Sequence, residues 1–564
     1  MSKVNRSWIA AASGLILAAA ASSVVADAGK EWTMYGGDYA NTRYSVLDQI
    51  NTKNVGKLRV AWIRSLGTLD SQQSTPLVIG DTMFVTSSLG PRYVYALNAK
   101  DGSIIWKYEP ELPNDFLSTV CCGPDNRGVA YANGRVFVTR LDAKMVALDA
   151  TTGKELWSTT VAEYKKGHAI TSPPLIVKDL VITGYAGGEL GVRGALQAYK
   201  QDTGEMVWKT YTIPGPGEAG FESWKGDSWK TGGGSTWYVG AYDPNLNLVY
   251  WGTSNAGPFA GHTRGNDSSD IGPYTNLYTA SQLAFNADTG KIVWHYQMTP
   301  SDVWDYDSIS EAVLSDLSIG GRKVPALMKA DKNGFFYVLN RENGKLLSAE
   351  PFVHVTWAKG IDMATGRPIE NPEKRPQLNK WARNVCPNFF GGKNWEPMSY
   401  SPQTGLVYIP SYNLCMDLAG KSEEYVAGKY YLGSDYDLDK SGPGDHLAEL
   451  IAWNPVTQKR AWGIKEDLPI LGGTMSTAGG LMFYGGPRGI LKGVDAKTGD
   501  VLWKFSVGTG ITQSPITYMV DAKQYVALVA GGGNIPAVVL GKIGQKVIEA
   551  SSQGGLVIAF ELVQ

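Results

Sequence analysis

The chain has 564 residues, of which 43% are hydrophobic and 19% charged, and its formal net charge is −1. This composition is typical of a folded globular protein rather than a disordered one. The absence of a basic tract argues against a nucleic-acid partner, whose phosphates need a dense cationic surface. The chain contains 5 His, too few for a His-rich zinc site, and its 67 Gly, 18 Trp and 29 Tyr indicate tight turns between aromatic-rich strands.

The N-terminus has the pattern of a secretory signal peptide. Lys3 and Arg6 precede a short apolar run over residues 9–21, and small residues follow up to Ala26. We predict a signal peptide over residues 1–26, cleaved so that the mature chain begins at Asp27. The alternative is a membrane anchor, for which the run is short. No later segment is long and apolar enough to cross a bilayer, so we expect a soluble protein exported to the periplasm.

The four cysteines occur as two possible pairs. Cys121 and Cys122 are adjacent, and Cys386 and Cys415 flank an aromatic, Gly-rich stretch. An oxidising compartment permits two disulfides. For the adjacent pair, a small strained ring and two free buried thiols are both open from the residues alone.

A repeated pattern predicts the fold. A short apolar strand is followed by an Asp or Asn turn with Gly, and then by a strand that carries Trp, as in the segment from Val94 to Trp106. Each copy is typical of a β-hairpin. The copies recur about every 50 residues in the first half of the chain, which is typical of the blades of a β-propeller. Their closing residues are Trp106, Trp157, Trp208, Trp294, Ser348, Trp462 and Trp503.

We therefore predict an all-β protein in which residues 27–564 form a single eight-bladed β-propeller. Because one blade cannot cover its own apolar faces, the blades must close into a ring, with the repeated Trp packed between neighbours. Seven copies are visible in the sequence. We expect the eighth blade to combine an early strand within Glu31–Tyr44 with a final strand within Gly555–Val563, so that the two chain ends close the ring.

The stretch Trp304-Asp305-Tyr306-Asp307 places two carboxylates two residues apart. Both can reach one ion if a loop turns them inward, and a hard cation prefers several oxygen ligands of this kind. A carboxylate that is only lightly engaged with the metal can act as a general base. The alternative is an acidic surface turn, which is the commoner explanation of an isolated Asp-x-Asp.

Several further motifs occur in the order found in one enzyme family. They include Cys121-Cys122-Gly-Pro-Asp-Asn-Arg127-Gly, Gly187-Gly188-Glu189-Leu-Gly-Val-Arg-Gly, Gly-Gly-Gly-Ser-Thr-Trp237, Trp251-Gly-Thr-Ser-Asn255, Val303-Trp-Asp305-Tyr-Asp307 and Gly392-Lys-Asn394-Trp395-Glu-Pro-Met. Together with the propeller repeats they resemble the alcohol dehydrogenases that depend on pyrroloquinoline quinone (PQQ). Each motif alone is weak, but the resemblance covers nearly all of the mature chain.

The resemblance implies how the cofactor, a flat tricarboxylated ortho-quinone, is bound. Trp237 matches the indole on which the ring stacks, and the Cys121–Cys122 ring matches the rigid cover on its other face. The remaining positions match donors to the cofactor's carboxylates and quinone oxygens, with Ala186 standing where many relatives have Ser. These positions are Arg127, Thr171, Ala186, Gly187, Gly188, Lys332, Asn394 and Trp395.

The resemblance also implies a metal site and a mechanism. Glu189, Asn255, Asp305 and Asp307 match the ligands of a hard cation, and oxygen-only ligation selects such an ion. Asp307 favours a lanthanide, with calcium as the alternative, because a further negative charge suits a trivalent ion. The metal is expected to act as a Lewis acid on the quinone while Asp305, the catalytic base, takes the alcohol proton and hydride passes to the quinone.

The implied partners follow from the same resemblance. The sequence lacks Cys-x-x-Cys-His, so the expected electron acceptor is a separate periplasmic cytochrome c. A homodimer is possible. The loop Asn255-Ala-Gly-Pro-Phe259 departs from the usual methanol-type sequence, which predicts an alcohol larger than methanol. The alternatives are a quinoprotein that oxidises a polyol or sugar, and a non-enzymatic exported propeller that acts as a scaffold.

Overall fold

The computed structural model describes residues 29–265, 272–533 and 535–563, so the predicted signal peptide and its cleavage point at Asp27 lie outside the described residues. Strands dominate, and eight sheets of four or five strands follow one another along the chain. Four neighbouring strands pair antiparallel in each of these sheets, which confirms the predicted all-β propeller class. Among the described helices, none is long and apolar enough to cross a bilayer.

Two strands precede the first complete blade, and the first three blades are then contiguous in sequence. Their bounds are β1 (Tyr44–Ser45) and β2 (Leu58–Ser65); β3 (Leu77–Ile79), β4 (Thr82–Thr86), β5 (Val94–Asn98) and β6 (Ile104–Tyr108); β7 (Ala130–Ala132), β8 (Arg135–Thr139), β9 (Lys144–Asp149) and β10 (Glu155–Thr160); and β11 (Leu175–Val177), β12 (Leu180–Gly184), β13 (Ala195–Lys200) and β14 (Met206–Tyr211).

The next two blades are also contiguous, and an insertion with strands of its own follows them. The bounds are β15 (Ala241–Asp243), β16 (Leu248–Gly252), β17 (Ser281–Asn286) and β18 (Ile292–Gln297); β19 (Val313–Ile319), β20 (Arg322–Ala330), β21 (Phe335–Asn340) and β22 (Leu346–Pro351); and, in the insertion, β23 (Ala358–Asp362), β24 (Arg367–Glu370) and β25 (Trp381–Val385).

The last three blades include strands from distant parts of the chain. Their bounds are β26 (Ser399–Ser401), β27 (Leu406–Tyr412), β28 (Leu414–Gly420), β29 (Ser434–Ser441), β30 (Ala448–Asn454) and β31 (Lys459–Glu466); β32 (Thr474–Thr477), β33 (Leu481–Gly485), β34 (Ile490–Asp495) and β35 (Val501–Ser506); and β36 (Ile516–Val520), β37 (Lys523–Ala530), α1 (Ile535–Ala550) and β38 (Leu556–Leu562). Strands β28 and β29 leave the sixth blade to pair with β25, and α1 is kinked at Gly541.

The chain ends close the ring, but not through the early strand that the sequence suggested. Strand β38 pairs with β2, from Leu58 opposite Leu562 to Ser65 opposite Leu556. The stretch Glu31–Tyr44 instead forms turns, and Tyr44–Ser45 adds a parallel fifth strand to β32. The prediction failed because Asn41 and Arg43 have left-handed backbone angles, which interrupt an extended strand there.

The repeated Trp packs between adjacent blades, as predicted. The indole nitrogen of Trp106 donates to the Ala150 carbonyl of the next blade at 2.9 Å, and Gly153 covers the ring. A Cβ at Gly153 would lie 2.6 Å from the indole, and its φ is +70°, so the turn needs glycine on both counts. The same indole–glycine contact recurs for Trp62, Trp157, Trp208, Trp294 and Trp462.

Candidate functional site

The topology of the blades explains why residues distant in sequence meet. In a four-stranded meander, the connection that enters a blade and the connection between its second and third strands lie at the same end of the sheet. All the predicted site residues lie in connections of this kind. They are found between β6 and β7, β10 and β11, β12 and β13, β14 and β15, β16 and β17, β18 and β19, β20 and β21, and β25 and β26.

A cavity of about 370 Å³ opens on this face and brings most of these side chains together. Its volume is in the range of small-molecule and cofactor sites. The predicted site residues that line it are Cys121, Cys122, Arg127, Thr171, Ala186, Glu189, Trp237, Asp305, Asp307, Lys332, Asn394 and Trp395. Gly187, Gly188 and Asn255 are buried beside them.

A disulfide joins the adjacent cysteines, which decides the alternative that the sequence left open. Cys121 and Cys122 are bonded to each other, as are Cys386 and Cys415. The small Cys121–Cys122 ring and the indole of Trp237 both line the cavity and offer apolar surfaces for a flat ligand.

Arg127 supplies positive charge to the cavity and forms no ion pair among the described residues. The side chain is 4% exposed, and its guanidinium carbon lies 5.3 Å from the Trp237 ring centroid and 5.7 Å from that of Trp395. Its Nε and Nη1 atoms have no hydrogen-bond partner in the part of the chain that the structure describes. A buried guanidinium with free donors is the group expected to bind a carboxylate.

Two neighbours of Arg127 also present open polar atoms. Within the described ranges, Asn394 Oδ1 and Trp395 Nε1 are buried and lack hydrogen-bond partners. Thr171 is already engaged, because its hydroxyl donates to the Trp237 carbonyl at 3.2 Å. Buried polar atoms without partners are uncommon, and each indicates a missing water, ion or ligand. The upper cavity therefore fits a planar, polyanionic molecule.

The lower cavity gathers carboxylates around one lysine. The Lys332 ammonium lies 3.1 Å from Asp305 Oδ1 and 3.4 Å from Asp307 Oδ2. The second carboxylate also accepts hydrogen bonds from the Trp237 indole, at 3.2 Å, and from the backbone amide of Asn255. Asp307 is thus fixed on three sides, whereas Asp305 is held only by the lysine.

The loop that carries both aspartates is rigidly packed. Asp302 accepts hydrogen bonds from the backbone amides of Trp304 and Tyr306 at 3.1 and 3.0 Å. The rings of Trp304 and Tyr306 are stacked, and both pack against Trp357. Asp305 has a left-handed φ of +62°, which a short polar side chain tolerates and which turns it away from its aromatic neighbours into the cavity.

Burial and mutual repulsion raise the pKa values of these acids. Burial and then the nearby Asp307 carboxylate raise the pKa of Glu189 to about 7. Burial also raises the pKa of Asp305 well above its ordinary value, with the Asp307 and Glu189 charges adding to the effect and Lys332 opposing it. Burial lowers the pKa of Lys332, but attraction to Asp305, Asp307 and Glu189 outweighs it, so the net shift is upward.

The same region offers oxygen ligands for a cation. Asn255 is fully buried, and its Oδ1 atom has no hydrogen-bond partner among the described residues. A Cβ at Gly188 would lie 3.1 Å from that atom, so glycine allows the turn carrying Glu189 to approach it. In residues 29–265, 272–533 and 535–563, no three His, Cys, Asp or Glu side chains converge closely enough to hold a metal by themselves. A site here therefore needs the Asn255 amide or ligand oxygens as well.

The cavity entrance contains residues that the sequence analysis missed. Apart from Phe259, which the altered loop had pointed to, nothing in the local sequence marked these side chains, because they come from β25–β26, the β28–β29 connection and β29. The entrance residues are Phe259, Phe389, Tyr430, Leu432 and Tyr436. Asp125, beside the disulfide, also lines the cavity and was not predicted.

Comparison with known proteins agrees with this geometry. Residues 32–355 and 447–526 match the family described as PQQ: glucose/ethanol/alcohol dehydrogenase, beta-propeller domain. The lanthanide-dependent methanol dehydrogenase of Methylacidiphilum fumariolicum is 45% identical over 528 residues, which cover 89% of this chain and 85% of the relative. Quinoprotein alcohol dehydrogenase PedH of Pseudomonas putida is 41% identical over 545 residues, covering 92% of this chain and 89% of that protein.

The fold comparison leads to the same family. A solved europium-containing methanol dehydrogenase superposes with a TM-score of 0.90 at 42% identity, covering 95% of this chain and 98% of that one. The likeness extends over the whole ring and includes the face that carries the cavity. The chain is therefore an enzyme and belongs to the PQQ-dependent alcohol dehydrogenase family.

Proposed function

We propose that this enzyme oxidises a primary or secondary alcohol larger than methanol, with PQQ bound between Trp237 and the Cys121–Cys122 disulfide and a lanthanide ion held by Glu189, Asn255, Asp305 and Asp307. The observation that carries the proposal is that one cavity has two parts, one with the unpaired donors of Arg127 and Trp395 and one with crowded carboxylates around Lys332. A polyanionic ring fits the first part and a hard cation fits the second.

The residues that would hold PQQ are those with open polar atoms around the slot. Arg127 and the Trp395 indole supply donors to carboxylates, and Lys332 supplies a cation near the lower edge. When bound, the quinone with its metal supplies an electrophilic carbonyl that accepts hydride.

Asp305 is proposed as the catalytic base. Its Oδ1 atom faces only the Lys332 ammonium, so it can accept the proton of an alcohol hydroxyl, whereas Asp307 also accepts hydrogen bonds from the Trp237 indole and the Asn255 amide. The raised pKa values of Asp305 and Glu189 fall when a cation binds among them, because a positive charge favours the ionised carboxylate. Both acids are therefore expected to be ionised near neutral pH when the metal is bound.

Asp307 is the basis for proposing a lanthanide rather than calcium. The proposed ligand set contains Glu189, Asp305 and Asp307, whose three negative charges are offset by one lysine. Asp307 adds one more negative charge to those of Glu189 and Asp305, and each added charge strengthens the attraction for a trivalent ion more than for a divalent one. Calcium is the alternative ion.

The entrance supports the proposed substrate size. Phe259, Phe389 and Leu432 line this side of the cavity with apolar surface, and the exposed rings of Tyr430 and Tyr436 join them. An apolar entrance attracts an alkyl or aryl chain and offers little to a polyol or sugar, whose many hydroxyls need hydrogen-bond partners. This favours a simple alcohol over the polyol alternative.

The test is reconstitution of the apo-protein with PQQ and either lanthanum or calcium, assayed with a dye acceptor across alcohols of increasing size. We expect turnover with lanthanum and kcat/KM values that rise from methanol to longer alcohols. Loss of activity with both metals and every alcohol would contradict the proposal. Equal or better turnover with methanol would contradict the substrate class alone.

The Asp307→Ala variant tests the metal. We expect lanthanum-supported activity to fall by about a hundredfold or more, because a buried charged ligand is lost, while calcium-supported activity is retained or increased. Asp316→Asn, on β19 and paired with Arg341 outside the cavity, is the control and should behave as wild type with both metals. Equal losses with the two metals in Asp307→Ala would contradict the lanthanide assignment.

The cellular setting is proposed from the sequence. Cleavage of residues 1–26 would release residues 27–564 into the periplasm, where a cytochrome c accepts the electrons and the enzyme is a candidate homodimer. The apolar run ahead of Ala26 and the two disulfides support export. Mass spectrometry of the purified N-terminus and reduction of a periplasmic cytochrome c by the loaded enzyme test these points.

A further inference from the structure

Asp125 places a buried acid inside the part of the cavity that is otherwise built for anions. It follows the Cys121–Cys122 disulfide, is 4% exposed, and lines the cavity next to Arg127. Its Oδ1 atom has no hydrogen-bond partner among the residues described by the structure. The mechanism proposed above gives this side chain no task.

The charged and polar groups that face Asp125 are few. They are the Arg127 guanidinium, the carboxylate of Asp70 and the side-chain amide of Gln73. In the described ranges, neither Asp125 nor Arg127 forms an ion pair. An acid and a base thus line the same slot, and each has at least one buried polar atom without a hydrogen-bond partner among the described residues.

An ionised Asp125 would oppose the binding of a cofactor with three carboxylates, whereas a protonated carboxyl can donate to one. Burial raises the pKa of Asp125 to about 7, with Arg127 opposing the rise and Asp70 adding to it. Both forms are therefore populated near neutral pH, and the approach of a further anion favours the protonated form.

We propose that Asp125 binds PQQ as the neutral acid, donating a hydrogen bond from its carboxyl group to a cofactor carboxylate that also binds Arg127. This inference rests on the proposed function, because it assumes that PQQ occupies the slot. Loading of the cofactor then takes up one proton at Asp125, so PQQ binding weakens as the pH rises.

The direction of the pH effect follows from linkage. Below pH 7, Asp125 is already protonated in the protein without PQQ, so it does not weaken PQQ binding. Above pH 7, PQQ binding must first protonate the carboxylate, so the Kd contribution of this group rises about tenfold per pH unit. Asn at this position is always neutral and removes that contribution.

The test is titration of the apo-protein with PQQ at a fixed lanthanum concentration, from about pH 6 to about pH 9, followed by quenching of tryptophan fluorescence. Wild type, Asp125→Asn and Asp70→Asn are compared, the last as a matched control. We expect the slope of log Kd against pH above pH 7 to be steeper in wild type than in Asp125→Asn by about one log unit per pH unit. Asp70→Asn should keep the wild-type slope but begin it at a lower pH, because Asp70 no longer raises the pKa of Asp125. Titration of Glu189 contributes equally to all three proteins and cancels in the comparison.

Calorimetry in two buffers of different ionisation enthalpy gives a second measurement. PQQ binding at about pH 8 should take up about one proton fewer in Asp125→Asn than in wild type. If Asp125→Asn does not fold, Asp125→Ser replaces it. Equal slopes and equal proton uptake in wild type and variant would overturn the inference while leaving PQQ binding intact. Failure of wild type to bind PQQ at any pH would overturn the proposed function, and this inference with it.

Discussion

The tryptophans at the blade junctions and those at the cavity differ in what their indole nitrogens contact. At the junctions, Trp106 Nε1 donates to the Ala150 carbonyl and Trp208 Nε1 to the Ala287 carbonyl, in each case across to the next blade. At the cavity, Trp395 Nε1 finds no hydrogen-bond partner in the described residues, and Trp237 Nε1 donates to the Asp307 carboxylate. The junction indoles of Trp106 and Trp208 are thus paired with backbone carbonyls, whereas at the cavity one indole pairs with a carboxylate and the other is unpaired.

This difference distinguishes the blade junctions, which stabilise the ring, from the cavity, which is proposed to bind the cofactor and metal. An unpaired buried polar atom costs about 1–3 kcal/mol, so the open atoms of Arg127, Asn255 and Asn394 weaken the empty protein. The repeated junctions, at five of which the indole nitrogen is paired with a backbone carbonyl, help to offset that cost. A rigid ring can therefore keep a binding site preorganised before any ligand arrives.

The largest expected effect comes from replacing Asp305, the proposed catalytic base at the cavity. Asp305→Asn keeps the size of the side chain but cannot accept the alcohol proton. We expect kcat of the reconstituted enzyme to fall by about 10²–10⁴, with a much smaller change in KM. Steady-state kinetics with a dye acceptor measure both. A kcat within about threefold of wild type would show that another group takes the proton.

A smaller effect, on stability, is expected at Glu396, a buried acid outside the cavity, which can be compared with the well-paired Glu311. Glu311 accepts hydrogen bonds from Lys393 Nζ at 2.8 Å and from the Met398 amide. Glu396 is equally buried, but neither of its carboxyl oxygens has a well-aligned hydrogen-bond partner within the described part of the chain. Burial raises the pKa of Glu396 from 4.5 to about 7.

The stability contributed by the protonated Glu396 is present below about pH 4.5 and is lost as the pH rises through 7. We expect Glu396→Gln to be neutral at about pH 4.5 and to stabilise the protein by up to about 3 kcal/mol above pH 7. Chemical denaturation at both pH values measures the difference, with the exposed Glu424→Gln as control. A gain of equal size at the two pH values would exclude titration as the cause.

The smallest expected effect is a difference in stability between variants at two blade junctions, which differ in one hydrogen bond. Trp106 and Trp462 both lie beneath a glycine of the next blade, but Trp462 Nε1 lacks a hydrogen-bond partner in the described ranges. Trp106→Phe should therefore destabilise the protein by about 1 kcal/mol more than Trp462→Phe, because it leaves the Ala150 carbonyl unpaired. Thermal unfolding of the two variants measures this gap. Equal losses would mean that ring packing alone sets the junction energy.

Prediction from the sequence succeeded where the pattern is local and repeated. The apolar strand, the turn with Gly and the Trp lie within about a dozen residues of one another, so each blade can be identified from its own segment. Trp62 was missed because the strands that complete its blade, β36–β38, lie at the other end of the chain. Its junction partner, Gly102, belongs to the first blade, and no local pattern in residues 58–65 reveals that contact.

The sequence by itself determined the propeller class and the family motifs, and it named most of the side chains that line the cavity, because the order of motifs along the chain can be read without knowing any distance. Only the tertiary structure decided that Lys332 lies between Asp305 and Asp307, that Cys121 and Cys122 are bonded, and that Asp125 and the entrance aromatics face the same cavity. The physical reason is that burial, pairing and pKa depend on neighbours brought together from different blades, and ring closure alone fixes which neighbours those are.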